Sequence, residues 1–244
     1  MPRAAAPLED PSSPPVRLGG RARTAYHTLR DLIVEGQLGP GARVIESDVA
    51  SRLGVSRTPV RSALQRLRQE GYVVAANGRK QSRLSVAPLT RGDGYELFHI
   101  LAELEGLAAH WAARLPEQRR GQLAGELERV NRALLEAIED DRVDARRVFD
   151  LHNEFHNSYV LSIDAPRIRA LYDSIRPQAE RYRRVYSAAP SGRTPHSPRE
   201  HEAIIAAIAE GDAERAQKAA QRNWRNAAER LERVIEDLGE RGGW

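Results

Sequence analysis

The stretch LGVSRTPVRSALQRLRQEGYV, residues 53–73, decides how this chain folds. Gly54 is placed to end one helix in the left-handed conformation. Two residues on, Ser56 can cap the next. Pro59 falls in the first turn of that helix, where a missing N–H costs little. Val60, Leu64 and Leu67 recur at helical spacing and mark a buried face. Arg57, Thr58 and Arg61 lie on the opposite face, near the N-terminal end.

Upstream, SDVASRLG (47–54) reads as a short helix capped by Ser47, with Val49, Ala50 and Leu53 turned inward. Before it, a helix from Ala25 carries Tyr26, Leu29, Leu32 and Ile33 at helical spacing and closes at Gly36. The turn residues Gly39, Pro40 and Gly41 lead into a short strand over Arg43 to Ile45. Downstream, Tyr72 to Ala75 is strand-like, and Leu84 and Val86 alternate on a return strand. Asn77-Gly78 between them is a strong hairpin signal, since both turn positions need positive φ. Arg79, Lys80 and Arg83 crowd the hairpin tip.

Two helices joined by a short turn, the second basic at its start, followed by a basic-tipped hairpin, make a winged helix-turn-helix. Arginines at the start of a recognition helix can fork onto guanine edges in the major groove. Helix N-termini and wing cations neutralise phosphates and set register. The plain alternative is that Arg57 and Arg61 are ordinary solvated helix residues.

Charge is divided in the same way. The first 90 residues carry 14 Arg and Lys against 7 Asp and Glu, and the rest carry 24 against 27. A basic head on a mildly acidic body suggests that the head meets an anion such as DNA. The absence of cysteine excludes disulfides, thiolate metal sites and Cys nucleophiles. No apolar run approaches the roughly 20 residues that span a bilayer. Residues 1–21 are too rich in proline and polar residues for a signal peptide and read as a disordered tail. The expected location is the cytoplasm.

From about Arg91 strand patterns vanish. Amphipathic helices are predicted over 92–114, 117–140, 144–163, 165–187, 198–210 and 212–237. The fold class is therefore mainly α. It pairs a winged helix-turn-helix domain with a small β-wing (22–88) and an all-α bundle (92–238).

The stretch 53–73 closely resembles the DNA-binding domain of GntR-family regulators, and the resemblance covers about residues 22–86. It implies that Arg57, Thr58 and Arg61 contact DNA. It also implies that Gly78 is the wing glycine that lets backbone approach the minor groove. Ser47 stands where many relatives carry an Arg. The body resembles the effector-binding domain of the FadR subfamily in LFHILAELEGLAAHWAARL (97–115), HNEFHNSYV (152–160) and REHEAIIAAIAEGDAERAQKAA (199–220). That resemblance implies a helical bundle, often with a divalent metal near its centre, that binds a small organic acid.

The residues themselves bear on the metal. His152 and His156 sit at i and i+4 on one helix face, and His201 lies on a later helix that can fold onto them. An i,i+4 His pair can equally be a hydrogen-bonded structural pair. Against the subfamily pattern, His152 stands in an Asp/Asn place, His156 and His201 match, and Asn223 takes the last His place. Three imidazoles and an amide suit zinc or nickel. The resemblance also expects an Arg near the ligand carboxylate, four residues before the Glu of the LEG motif, where this chain has Leu101. Arg181, Arg183 and Arg184 are replacement candidates, or else a solvated basic helix end. His99 can look into the cavity or simply pack.

These readings converge on a homodimeric transcription regulator, read as a repressor, binding pseudo-palindromic operator DNA under control of a small metabolite. Two alternatives stand beside it. One is a metal-dependent hydrolase using the His cluster with Glu154 or Glu103 as general base. The other is a dimeric DNA binder that senses nothing.

Overall fold

The computed structural model describes residues 18–75, 84–140, 143–186 and 196–242. The chain folds as two compact units, one of residues up to 93 together with 238–242 and the other of residues 94–237. Among the described residues no helix is long and apolar enough to cross a membrane.

The first unit starts with α1 (Gly20–Val34), five residues earlier than the apolar spacing suggested. Its N-terminal turns contribute Ala22 and Ala25 to the buried face, and small residues of this kind give little apolar signal. β1 (Arg43–Val44), α2 (Glu46–Leu53) and α3 (Arg57–Gln69) follow, then β2 (Val73–Ala75) and β3 (Leu84–Val86). Gly54 ends α2 with φ +63, the left-handed conformation a side chain would resist. The three strands form one antiparallel sheet in the order β1-β3-β2, with Val74 opposite Ser85 and Val44 opposite Leu84. Leu29 and Ile33 of α1 meet Val60, Leu64 and Leu67 of α3 in a core that Tyr72, Val73 and Val86 close from the sheet side. Val49 and Leu53 pack only part-buried against that core.

Two capping expectations fail. α2 begins at Glu46, so Ser47 lies inside the first turn and its hydroxyl donates to Asp48 Oδ1 (3.2 Å), with Ile45 at the cap position. Ser56 does occupy the cap position of α3, but its side chain makes no capping hydrogen bond. The C-terminal segment was not expected in this unit: Leu89 and Arg241 exchange backbone hydrogen bonds of 2.8 and 3.1 Å. Asn77, Gly78, Arg79, Lys80 and Arg83, the expected wing tip, lie outside the described residues.

The elements that make up the second unit are all helices among the described residues: α4 (Arg91–Ala112), α5 (Glu117–Glu139), α6 (Ala145–Ser162), α7 (Pro166–Tyr186), α8 (His196–Glu210) and α9 (Ala213–Leu238), with the first turn of α4 and the last residue of α9 counted in the first unit. α5 packs along α6 and α8. Asp144 caps α6 by accepting from the N–H groups of Arg146 and Arg147. The LEG motif, Leu104 to Gly106, has a steric reason in its glycine. A Cβ on Gly106 would lie 2.7 Å from Gln221 Cγ, so the absent side chain lets α4 approach α9.

Candidate DNA interface and histidine centre

In the first unit the start of α3 stands in solvent. Arg57, Thr58 and Arg61 are exposed, while Val60 and Leu64 on the same helix are buried. Helical geometry causes the division, because positions 57, 58 and 61 share one face and 60, 64 and 67 the other. Arg61 Nη2 lies 3.1 Å from Glu46 Oε2, and its side chain remains 70% exposed, so the pair leaves the guanidinium reachable. Arg43, Arg57, Arg61 and Arg68 line one shallow hollow with Ser47 and Gln65, and Glu46 is the only acid among its described lining residues. This basic, solvent-open face beside a helix N-terminus can meet phosphates and base edges.

In the second unit α6 brings His152 and His156 one turn apart, and α8 brings His201 against them. Ring centroids are 4.6 Å apart for His152–His156, 5.3 Å for His152–His201 and 5.2 Å for His156–His201. One nitrogen from each ring falls within 4.8 Å of the others. The His201 ring stacks flat on Phe155 at 3.7 Å, which fixes its plane. His156 Nδ1–H donates to Glu105 Oε2 (2.6 Å), and Tyr159 Oη donates to the same carboxylate. His201 Nδ1–H donates to Asn131 Oδ1 (2.9 Å), and Asn131 is itself held by donation from Nδ2 to the Pro198 carbonyl (2.9 Å). With each Nδ1 engaged, the Nε2 atoms of His156 and His201 are the nitrogens left over. They are buried without a hydrogen-bond partner among the described residues, as is His152 Nδ1.

Protonation agrees with that geometry. Burial, aided by the charge of Arg183, holds His152 well below the usual imidazole range. Burial, aided by His156, does the same to His201. Burial works to raise the Glu105 carboxyl, but the adjacent His156 outweighs it and the group stays below its ordinary value. Ring nitrogens left without partners close to one another, with His156 and His201 each held at Nδ1, fit a divalent cation. Orphaned buried nitrogens are costly otherwise. His152, His156 and His201 would hold it. Asn223 is buried, lines the same cavity as His152 and donates from Nδ2 to Glu200 Oε2 (2.8 Å), which leaves Oδ1 as the atom it could offer. When bound, such an ion supplies a Lewis-acidic position for an anionic ligand atom.

A cavity of about 160 Å3 adjoins the centre, walled mostly by apolar side chains including Phe98, Leu134, Trp224 and Leu231. His152, Arg183, Asn223 and Arg230 are its main polar lining. The arginine expectation narrows here to Arg183, whose Nη1 donates to Asn153 Oδ1 (2.8 Å). Burial pulls this guanidinium down to about 10, so it remains a cation at neutral pH. Arg181 is buried and Arg184 lies 4.0 Å over the Phe149 ring, and neither lines the cavity. His99 does not reach it either. α4 turns His99 onto exposed Tyr95 (4.0 Å, stacked) and presents Phe98 to the cavity instead. The proposed general bases are surface residues: Glu154 pairs with Arg129 (2.9 Å) and Glu103 with Arg225 (2.8 Å). Glu105, Asn131 and Glu200 were missed. Glu105 stood in view within the LEG motif, but its partner is 51 positions away.

A solvent-open basic helix start on a winged helix-turn-helix, and a buried imidazole centre opening on a ligand-sized cavity, define a DNA-binding regulator with a helical sensing domain. The chain belongs to the gntR family of bacterial regulatory proteins, in its FCD-domain branch: the gntR family model matches residues 21–80 and the FCD domain model residues 96–226. It is 28% identical over 156 residues (64% of this chain, 88% of the relative) to an HTH-type transcriptional regulator of Agrobacterium vitis. It is 34% identical over 146 residues (56% and 58%) to a protein of Paenarthrobacter nicotinovorans named as a D-xylose utilization operon transcriptional repressor. A solved structure of a GntR transcriptional regulator from Rhodococcus sp. RHA1 superposes with a TM-score of 0.66 at 25% identity, covering 87% of this chain and 98% of that one. The family consists of transcription regulators, and the hydrolase alternative finds no support in it.

Proposed function

We propose that this chain is a cytoplasmic, homodimeric repressor of the FadR subfamily that leaves its operator when a small organic acid binds beside a divalent metal. The reading assigns DNA contact to 22–88, sensing to 92–238, and a tail to 1–21. Arg57, Thr58 and Arg61 contact base edges and phosphates, Ser56 sits at the helix start, and Gly78, Arg79 and Lys80 approach from the wing. His152, His156, His201 and Asn223 hold zinc or nickel, and Arg183 faces the effector. What carries the reading is the pairing of an exposed cationic helix start in one unit with orphaned imidazole nitrogens in the other. Repression is supported by the relative from Paenarthrobacter nicotinovorans, which is named as a transcriptional repressor. A dimer is proposed with it because two heads reading inverted half-sites would need a two-fold axis. Effector binding changes operator affinity through a coupling of typically ~1–3 kcal/mol.

Selection from a random duplex pool tests it. Full-length protein is expected to enrich an inverted repeat, and adding the correct acid to release that duplex. Enrichment of no sequence, or retention by Arg57→Ala and Arg61→Ala of wild-type affinity for the selected duplex across salt concentrations, sinks the head assignment. Release by no carboxylate leaves only a dimeric DNA binder.

A further inference from the structure

The chain passes between its two units twice, once from β3 into α4 and once from α9 into residues 239–242. Gly239, with φ +76, turns the backbone out of α9 in the left-handed conformation. Arg241 then pairs with Leu89: the Leu89 N–H donates to the Arg241 carbonyl (2.8 Å) and the Arg241 N–H to the Leu89 carbonyl (3.1 Å). Leu89 is fully buried, so losing this partner would strand two backbone groups away from water. Glu240 Oε1 accepts from the Arg91 N–H (2.9 Å). Gly242 lies directly on the turn before β1, where a Cβ would stand 2.5 Å from Gly41 N and from the Pro40 carbonyl carbon.

The two helices that these segments extend pack together along the cavity. Phe98 of α4 meets Trp224 of α9 edge to face at 5.2 Å, and both line it. One turn earlier on α4, a Cβ on Gly94 would stand 3.1 Å from Leu231 Cδ2, and Leu231 lines the cavity as well. Ala227 and Val234 continue the α9 wall. Whatever changes the cavity therefore acts on α4 and α9 at once. A single linker leaves a small domain free to swivel, whereas two paired segments pass a displacement of one helix along the other into the domain they hold.

We infer that residues 239–242 are a strap that grips the head at the turn before β1 and at Leu89, so that a shift of α9 against α4 at the cavity is carried into the DNA-binding unit. This rests on the sensing role proposed above and supplies its route, and it depends on no particular ligand. The strap is held by backbone: two hydrogen bonds at Leu89, and a glycine contact at Gly41 too close for any side chain.

A double-mutant cycle in the full chain provides the test. Ala227→Leu adds bulk to the α9 wall of the cavity. Gly242→Val drives a side chain against Pro40 and Gly41 and unseats the strap. Arg241→Pro unseats it differently, by removing the N–H that Leu89 accepts, and melting temperatures report that each variant folds. Ala227→Leu is expected to change affinity for the selected duplex by about fivefold or more when the strap is intact, and by less than about twofold in either strap variant. Hydrogen exchange at Leu89 and Arg241 gives a reading without DNA. Both amides should be protected about a hundredfold or more in the wild type, lose that protection in Gly242→Val, and shift by about fivefold or more in Ala227→Leu. The inference is overturned if Ala227→Leu leaves duplex affinity unchanged, if its effect is the same with and without the strap, or if the two amides exchange freely in the wild type. Duplex binding that survives such a result leaves the DNA-binding regulator standing without a strap. Protein that enriches no duplex removes the regulator reading, and the response of the two amides to Ala227→Leu then decides the strap alone.

Discussion

The start of α3 and the histidine centre of α6 and α8 are both rich in nitrogen, and water treats them in opposite ways. Arg57 and Arg61 lie in solvent, and Glu46 takes up only part of one guanidinium. His156 and His201 are 1% and 0% exposed, each with a ring nitrogen that has no hydrogen-bond partner among the described residues. An exposed cation costs the fold almost nothing and suits a polymeric anion, at the cost of sensitivity to salt. A buried lone pair burdens the fold until something small and positive fills the gap between the rings. Burial therefore sorts the chemistry: an extended polyanion suits the exposed face of one unit, and a small enclosed ligand suits the other.

The largest expected effect breaks the buried side of this contrast. His156→Ala or His201→Ala should reduce bound zinc, measured by elemental analysis after gel filtration, from about one per chain to below a tenth. Wild-type protein should melt earlier after chelation, since a ligand at a thousand times its Kd contributes ~4 kcal/mol. The alanine variants should ignore the chelator. Undiminished zinc in both would leave the trio as a structural cluster.

Next comes the exposed side. Arg57→Ala should lose about 5- to 150-fold in affinity for the selected duplex, the range of one good bidentate base contact. Its melting temperature should not move, because the side chain supports nothing in the core. An affinity loss equal on all duplexes, with the salt slope smaller by about one, would assign Arg57 to phosphate instead of base.

Local signals made the head legible. The helical spacing of Val60, Leu64 and Leu67, the left-handed Gly54 and the strand alternation around residues 72–86 are all short-range, and their order is enough to name the fold. Caps were less legible: Ser47 has the right chemistry two residues too late, and Ile45 at the cap position offers no polar side chain to read. In the body, i,i+4 spacing disclosed His152 and His156, but the groups that orient the rings were hidden. Glu105 reaches His156 across 51 positions and Asn131 reaches His201 across 70, and no periodicity reports a contact between helices. The cluster Arg181, Arg183 and Arg184 shows the same limit. Each step along a helix turns about 100°, so three near neighbours face three ways, and only the packing of α7 decides which one meets the cavity.

Those hidden partners give the third prediction. Glu105→Gln keeps the shape and weakens the hold on the His156 N–H, while Asn131→Ala removes the acceptor of His201. Each should lower zinc affinity by about 10- to 100-fold without abolishing it, measured by competition with a chelating dye. A change under threefold in both would mean that stacking on Phe155 and packing of the rings suffice to orient them.

The smallest effect sharpens the exposed side. Glu46 is the one acid among the described residues lining the hollow that Arg57 and Arg61 share, and it is hydrogen-bonded to Arg61 through both carboxylate oxygens. Such exposed pairs contribute little to folding, so Glu46→Gln should leave the melting temperature unchanged. Its charge also opposes any phosphate that approaches. Removing it should therefore tighten binding to an unrelated duplex by about two- to fivefold at low salt, an advantage that fades as added salt shortens the screening length to a few ångströms. Affinity for the selected duplex is the sharper reading. If Glu46 only competes with DNA for Arg61, that affinity rises in step with the unrelated one. If Glu46 holds the guanidinium in the plane that reads a base, specific affinity falls while unrelated affinity rises, and the acid becomes part of the readout.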